Sequence, residues 1–278
     1  MLVLALDTAT AMVTAGLVEL PASGAPRVVA SRAHADRRHG ELLMPAVRAL
    51  CAESGRSLPE VDAVVVGAGP GPFTGLRVGI ASAAALGHTL DVPVHGVCSH
   101  DAIAHAWSAG GTRMETAWSA GGTRMETAWS AGGTRMETAW SAGGTRIETA
   151  AAGVAEPGAG HPEAGPDNLL VVTDARRREV YWAAYDPAAR RLTGPTVEPP
   201  GALAARLPEL AVGTVAGDPA FAERLGVAVT GPAAATPAGL VGVADAALRA
   251  GGEPAPVEPL YLRRPDAVEP TGRKRVTV

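Results

Sequence analysis

The chain has 278 residues, 47% of them hydrophobic and 19% charged. That is enough apolar material for one large or two modest cores and too much for a disordered chain. A formal net charge of -4 argues against autonomous, charge-driven nucleic-acid binding, which normally shows as a basic patch on a basic domain. Cys51 and Cys98 fall in no Cys-x-x-Cys spacing, so neither a disulfide framework nor a zinc site is signalled, and both read as small buried hydrophobes in a reducing compartment. No segment has the length and apolarity of a membrane span, and the apolar N-terminus lacks a basic leader and carries Asp7. A cytoplasmic protein is expected.

From the N-terminus, Leu2 to Leu6 is a run fit for a buried strand, residues 7–10 turn the chain, and Met12 to Leu20 returns as the second strand of a hairpin. Val28 to Arg32 adds a third strand. Over residues 39–54 the apolar positions Leu43, Val47 and Leu50 make a helical stripe, with Pro45 early in the helix and Gly55 as its C-cap. Ala63 to Val66 is a short β-branched run, a buried strand. The alternating Gly and Pro of residues 67–72 end it, and Thr74 is placed to cap a following helix. That helix carries Gly75, Gly79, Ala83 and Gly87 at steps of four, all on one face. Each Gly costs about 1 kcal/mol relative to Ala, so another backbone, most simply that of a helix, is expected to press against this face. Pro93 to Val97 is a further strand, and Ser99 is placed to cap a helix running toward His105.

A Gly-rich turn between strand and helix invites a nucleotide-site reading, which the residues do not support. No Lys follows a Gly at phosphate-loop spacing, the dinucleotide pattern begun by Gly67 and Gly69 meets Pro72 where its third Gly belongs, and Pro70 and Pro72 remove two N–H donors.

An eleven-residue unit, Ala-Trp-Ser-Ala-Gly-Gly-Thr-Arg-Met-Glu-Thr, then repeats in four tandem copies over residues 106–149, with Ile147 the single departure. A flexible surface insertion, a hendecad helical array and a dedicated binding element all stand open, although the Gly-Gly of each copy costs on the order of 2 kcal/mol in a helix. Residues 151–167, rich in Gly, Pro and Ala, continue as linker. Leu169 to Thr173 resumes as a strand, residues 174–177 turn, and Val180 to Tyr185 returns. This repeats the N-terminal unit, with Asp7 and Asp174 in equivalent places. A helix near residues 202–207, a strand over 213–216, short segments around Phe221 and Val227, and a helix over 237–248 complete this half. Tyr261 and Leu262 are expected to pack back on the body, and Arg273-Lys274-Arg275 reads as a solvated basic tail.

Gly69-Pro-Gly-Pro-Phe-Thr-Gly-Leu-Arg77 resembles the Gly-Pro-Gly-Ser-Phe-Thr-Gly-Leu-Arg signature of the TsaB (YeaZ) family, with Pro72 where Ser is usual. Members are subunits of the bacterial machinery that makes threonylcarbamoyladenosine in tRNA. Residues 4–10 resemble the family's opening strand and Asp-Thr turn, 39–45 its His-Ser-Glu-x-Leu-x-Pro helix, 174–181 its second-lobe hairpin and 259–263 its C-terminal element. The resemblance implies an α/β, actin-like or sugar-kinase-like duplicated fold (residues 1–105 and 168–278 as two lobes, each opening with a hairpin, and 106–167 as a flexible insertion). It implies a non-catalytic subunit that pairs with the TsaD catalytic subunit, serves a TsaE ATPase, forms a homodimer when alone, and meets tRNA only through the complex. ATP and magnesium are then used by the complex. The docking residues expected on this basis are Leu43, Val47, Leu50, Gly75, Leu76, Gly79, Ile80, Ala83 and Gly87.

In ATP-using members of this superfold the first hairpin turn approaches the nucleotide phosphates, which makes Asp7 and Thr8 the candidate cofactor contacts, although capping of the hairpin is the favoured reading of Asp7. The His-x-x-x-His metal pair of TsaD is absent, since Leu43 stands four residues after His39 and no other two histidines share that spacing. No Gly-x-Ser-x-Gly occurs, and no Ser-His-Asp or Cys-His arrangement is signalled. An independent ATP-dependent kinase of the same superfold is the alternative, and a peptidase lacks both nucleophile and metal.

Overall fold

The computed structural model describes residues 1–36, 38–109, 115–118, 124–131, 134–141, 144–146, 168–227 and 229–263. The first sheet has the order β3-β2-β1-β4-β5, built from β1 (Leu2–Asp7), β2 (Met12–Glu19), β3 (Arg27–Ala35), β4 (Ala63–Gly67) and β5 (Val94–Val97). β1 runs antiparallel to β2 and parallel to β4. Both β1 and β4 are buried along their whole length, which is why their sequences are continuous apolar runs rather than alternating ones. The second sheet repeats the plan as β12-β11-β10-β13, from β10 (Asn168–Asp174), β11 (Val180–Tyr185), β12 (Arg191–Glu198) and β13 (Val212–Gly217). Again the first strand is antiparallel to the second and parallel to the fourth.

Helices cover both sheets and lie between them. α1 (His39–Ser54) and α2 (Phe73–Leu90) pack on the outer face of the first sheet. α4 (Pro200–Arg206) and α5 (Pro219–Leu225) cover the outer face of the second. α3 (Ser99–Ser108) and α6 (Pro237–Ala250) lie between the sheets, so that Val3, Val65, Ile103, Leu169, Val171, Tyr185 and Leu240 share one core. α3 and α6 approach closely because α6 has glycine there: a Cβ on Gly239 would overlap the Ala102 carbonyl. Polar links tie α3 to the second sheet. His100 Nε2 and Thr173 Oγ1 are 2.8 Å apart, and Asp101 accepts from Tyr185 Oη at 2.8 Å and from Arg191 Nε at 2.9 Å.

Gly55 ends α1 in the left-handed region at φ 65°, as the sequence predicts. Two expected caps are corrected. Pro72 occupies the cap of α2 while Thr74 lies within its first turn, and Cys98 precedes α3 while the Ser99 hydroxyl turns back to the first hairpin. β12 escapes a sequence reading because Gly194-Pro195 interrupts it, a pair that only an edge strand accommodates.

The repeats hold a third sheet, β6 (Glu115–Trp118), β7 (Arg124–Ala131), β8 (Thr134–Ser141) and β9 (Gly144–Arg146), in sequential antiparallel order. Gly132-Gly133 separates β7 from β8 along the chain and Gly144 opens β9, so the described part of the repeats is extended rather than helical. The expected linker over 151–167 and the basic tail lie outside the described residues.

Candidate functional site

The Asp7 turn is where the first sheet, three helices and one loop converge. β1 delivers Asp7 and Thr8 with no side-chain exposure at all. Asp7 Oδ1 accepts from the Ala9 amide at 2.9 Å, closing the turn, and Oδ2 accepts from the Ser99 hydroxyl at the start of α3. Ser99 Oγ in turn accepts from the Gly69 amide at 3.3 Å. Thr8 Oγ1 donates to the Gly75 carbonyl of α2 at 2.8 Å, and the His39 ring at the start of α1 lies 2.9 Å from the Thr10 carbonyl. Sequence reasoning found Asp7 as a turn cap but not its link to Ser99, because 92 residues separate the partners and neither carries a local signal of the other.

The small-residue face of α2 is what closes on this turn. A Cβ on Gly75 would lie 2.5 Å from the Thr8 carbonyl oxygen, and one on Gly79 would overlap Thr8 Oγ1. Further along, Gly87 meets Val94 of β5. Leu43, Val47, Leu50 and Ala83 are likewise buried in the core between α1, α2 and the sheet, and Leu76 is buried beside Gly69. Within the chain, the backbone that comes close to this stripe belongs to its own hairpin turn, and helical period alone cannot tell such a neighbour from a partner. Ile80 alone among the nine expected docking residues is half-buried, in a groove it shares with Pro254, Pro256 and Val257. Asp7 and Thr8, expected as cofactor contacts, have their side-chain oxygens engaged within the chain.

On the opposite face of α2, Thr74, Arg77, Ala81, Ala84, Ala85 and His88 are exposed. Arg77 lies 3.8 Å over the Phe73 ring, which packs at 5.1 Å on Tyr261, and Arg77 Nε donates to Tyr261 Oη at 3.3 Å. The Leu260 amide donates to the Ala68 carbonyl, so this segment packs back on the body as the sequence predicts, at the start of α2. Arg263 continues the strap to the second hairpin, donating to the Ala175 carbonyl at 3.1 Å and pairing with Glu179.

The second turn repeats one closure of the first and differs from it in backbone and surface. Asp174 Oδ1 accepts from the Arg176 amide at 2.7 Å, the same two-residue closure made by Asp7. Arg176, Arg177 and Arg178 all have positive φ, and Arg177 and Arg178 are exposed where Thr8 is buried.

Burial governs the ionisation of these groups. Desolvation raises the Asp7 carboxyl from 3.8 to about 6 against the opposing pull of Ser99, the Ala9 amide and His39. It lowers His100 to about 3, with Arg191 adding to the effect, and His100 Nδ1 has no hydrogen-bond partner among the described residues. Burial also pushes the Cys98 thiol to about 11, which keeps it protonated. Among the described residues no three His, Cys, Asp or Glu side chains converge on a possible metal position, and no helix is long and apolar enough to cross a membrane.

A pH dependence follows for Asp7. Its folded-state value exceeds its unfolded one, so its contribution to stability is present below pH 3.8 and is lost as pH rises through about 6. The loss amounts to about 3 kcal/mol. Asp7→Asn keeps an acceptor for Ala9 and removes the titration. Urea unfolding across this range should show the substituted chain gaining about that much over the original by neutral pH; a constant difference would refute the buried-carboxyl assignment.

The sequence model of the TsaD family, tRNA N6-adenosine threonylcarbamoyltransferase, matches residues 28–143. An uncharacterized protein of Mycobacterium tuberculosis is 40% identical over 273 residues, spanning 95% of this chain and 93% of its own. The Escherichia coli protein named for tRNA threonylcarbamoyladenosine biosynthesis, TsaB, is 34% identical over 112 residues, 40% of this chain and 46% of its own. A Pseudomonas aeruginosa structure described as an uncharacterized protein with similarity to peptidase YEAZ superposes with a TM-score of 0.59 at 25% identity, covering 94% of this chain and 99% of the other. The chain belongs to the TsaB (YeaZ) family. Against that family's signature, Phe73 and Arg77 are the two large side chains that the motif places on the surface, whereas Gly75 and Leu76 face the core. The motif thus combines a buried glycine approach to the first turn with an exposed aromatic-arginine pair at the start of α2.

Proposed function

We propose that this chain is a non-catalytic partner subunit in the formation of threonylcarbamoyladenosine in tRNA, built on the actin-like, two-lobed superfold and working in the cytoplasm. Residues 1–105 and 168–278 form its two lobes, and residues 106–167 are the insertion between them. Its partner is a TsaD-like catalytic subunit, on which a TsaE-like ATPase acts; ATP and magnesium belong to that assembly, and tRNA reaches this chain only through it. The observation that carries the reading is the filling of the first turn. Where a nucleotide-using relative leaves room for phosphates, Gly75 and Gly79 bring α2 onto Thr8, and the polar atoms of Asp7 and Thr8 are spent within the chain.

Docking then falls to the outward face of α1 and α2, which the buried stripe supports from beneath. Ala81, Ala84 and Ala85 leave α2 smooth enough for a second helix to approach closely, and the exposed Phe73–Arg77 pair at its start is of the residue types that anchor interfaces. Sedimentation of the chain mixed with the TsaD-like protein of the same host should show a heterodimer that displaces any homodimer. Two independent boundaries at every concentration would count against the proposal, as would micromolar binding and turnover of ATP with magnesium by this chain alone.

A further inference from the structure

We propose that the repeat sheet is a self-association element, and that the open edge of β6 pairs with β6 of a second copy of this chain about a two-fold axis at Thr116. The argument rests on register. Between β7 and β8, Met125 stands opposite Trp140, Glu126 opposite Ala139, Thr127 opposite Thr138, Ala128 opposite Glu137 and Trp129 opposite Met136. The unit Met-Glu-Thr-Ala-Trp is therefore its own antiparallel complement, with each copy reversed about a central Thr–Thr pair. β6 and β7 adopt the same register, Glu115 opposite Ala128, Thr116 opposite Thr127 and Trp118 opposite Met125.

A register centred on one residue type is what a two-fold axis demands, since each strand must present to its mate what the mate presents to it. In it no like charges face each other: Glu stands opposite Ala, and Arg135 and Arg124 stand opposite Ser130 and Ser141. Every repeat carries the same five residues apart from the Ile147 copy, so the strand that fits the open side of β6 is a further repeat, and a second copy of this chain supplies one. β6 and β9 end the sheet, and among the described residues no other strand pairs with their outer sides. Such edges are templates for pairing unless charge, proline or a cover blunts them, and the unit contains no proline.

Sedimentation velocity over a concentration series decides the matter, comparing the full chain with a variant lacking residues 115–146 and with Thr116→Pro, which puts a residue that strands tolerate poorly at the proposed axis. The limiting mass of the full chain should be at least twice that of either variant, whatever pairing the two lobes make on their own. Equal limiting masses for all three would overturn the proposal. Because α2 is untouched in both variants, a failure here would be distinct from a failure to pair with the TsaD-like subunit, which the same variants should retain.

Discussion

Gly79→Leu should yield no cooperatively folded chain. Its Cβ alone would overlap the Thr8 hydroxyl, and the rest of the side chain would have to enter the space between α2, the first turn and Val66. Neither wall can yield cheaply: Thr8 is tied to the Gly75 carbonyl, and β4 is a central strand of the sheet. The cost should exceed about 3 kcal/mol, a large share of the stability of a typical domain. Circular dichroism with thermal melting checks this. A well-folded Gly79→Leu monomer that has merely lost a partner would mean that the stripe faces outward after all.

The second large effect is expected from the other side of the same helix. Ala81 lies opposite the inward stripe and is exposed, so Ala81→Arg should leave the unfolding free energy within about 0.5 kcal/mol of the original. On the proposed docking face the same side chain would hold two helices apart. Pairing with the TsaD-like subunit should then weaken by at least about 30-fold, which corresponds to roughly 2 kcal/mol. Unchanged affinity would move the docking surface off the exposed face of α2. The pair of substitutions separates the two roles of the helix, since one should abolish folding and the other association.

Much of the frame is legible in the residues because its signals are local. The continuous apolar runs of β1, β4, β10 and β11 announce buried strands, and Asp7 and Asp174 mark two turns that close in the same way. The helices α1, α2 and α6 show in their spacing of apolar and small residues. What the sequence withholds is the identity of the neighbour. Steps of four in α2 establish that something approaches, but Thr8 lies 67 residues from Gly75 and carries no mark of that contact. The helix-to-helix approach expected of α2 occurs between α3 and α6, at Gly239. Gly-Gly is a cost only within a helix, and the described segments of the repeats are strands. The Ser99 hydroxyl was assigned to the nearest backbone and serves instead a carboxylate across the sheet.

The site follows the same division. Asp7 and Thr8 stand out as residues at the end of a buried strand, and only the three-dimensional arrangement reveals that α2 occupies the space in front of them. His100, with Thr173 as partner in the second sheet, had no spacing or motif to distinguish it.

The most direct test of the central claim is the modified-nucleoside content of unmodified tRNA incubated with threonylcarbamoyl adenylate and three protein samples: this chain alone, the TsaD-like subunit alone, and both with the TsaE-like ATPase and ATP. Threonylcarbamoyladenosine should accumulate through repeated turnover only in the combined sample. Its formation by this chain alone, or equal formation by the TsaD-like subunit and ATPase when this chain is omitted, would contradict the account.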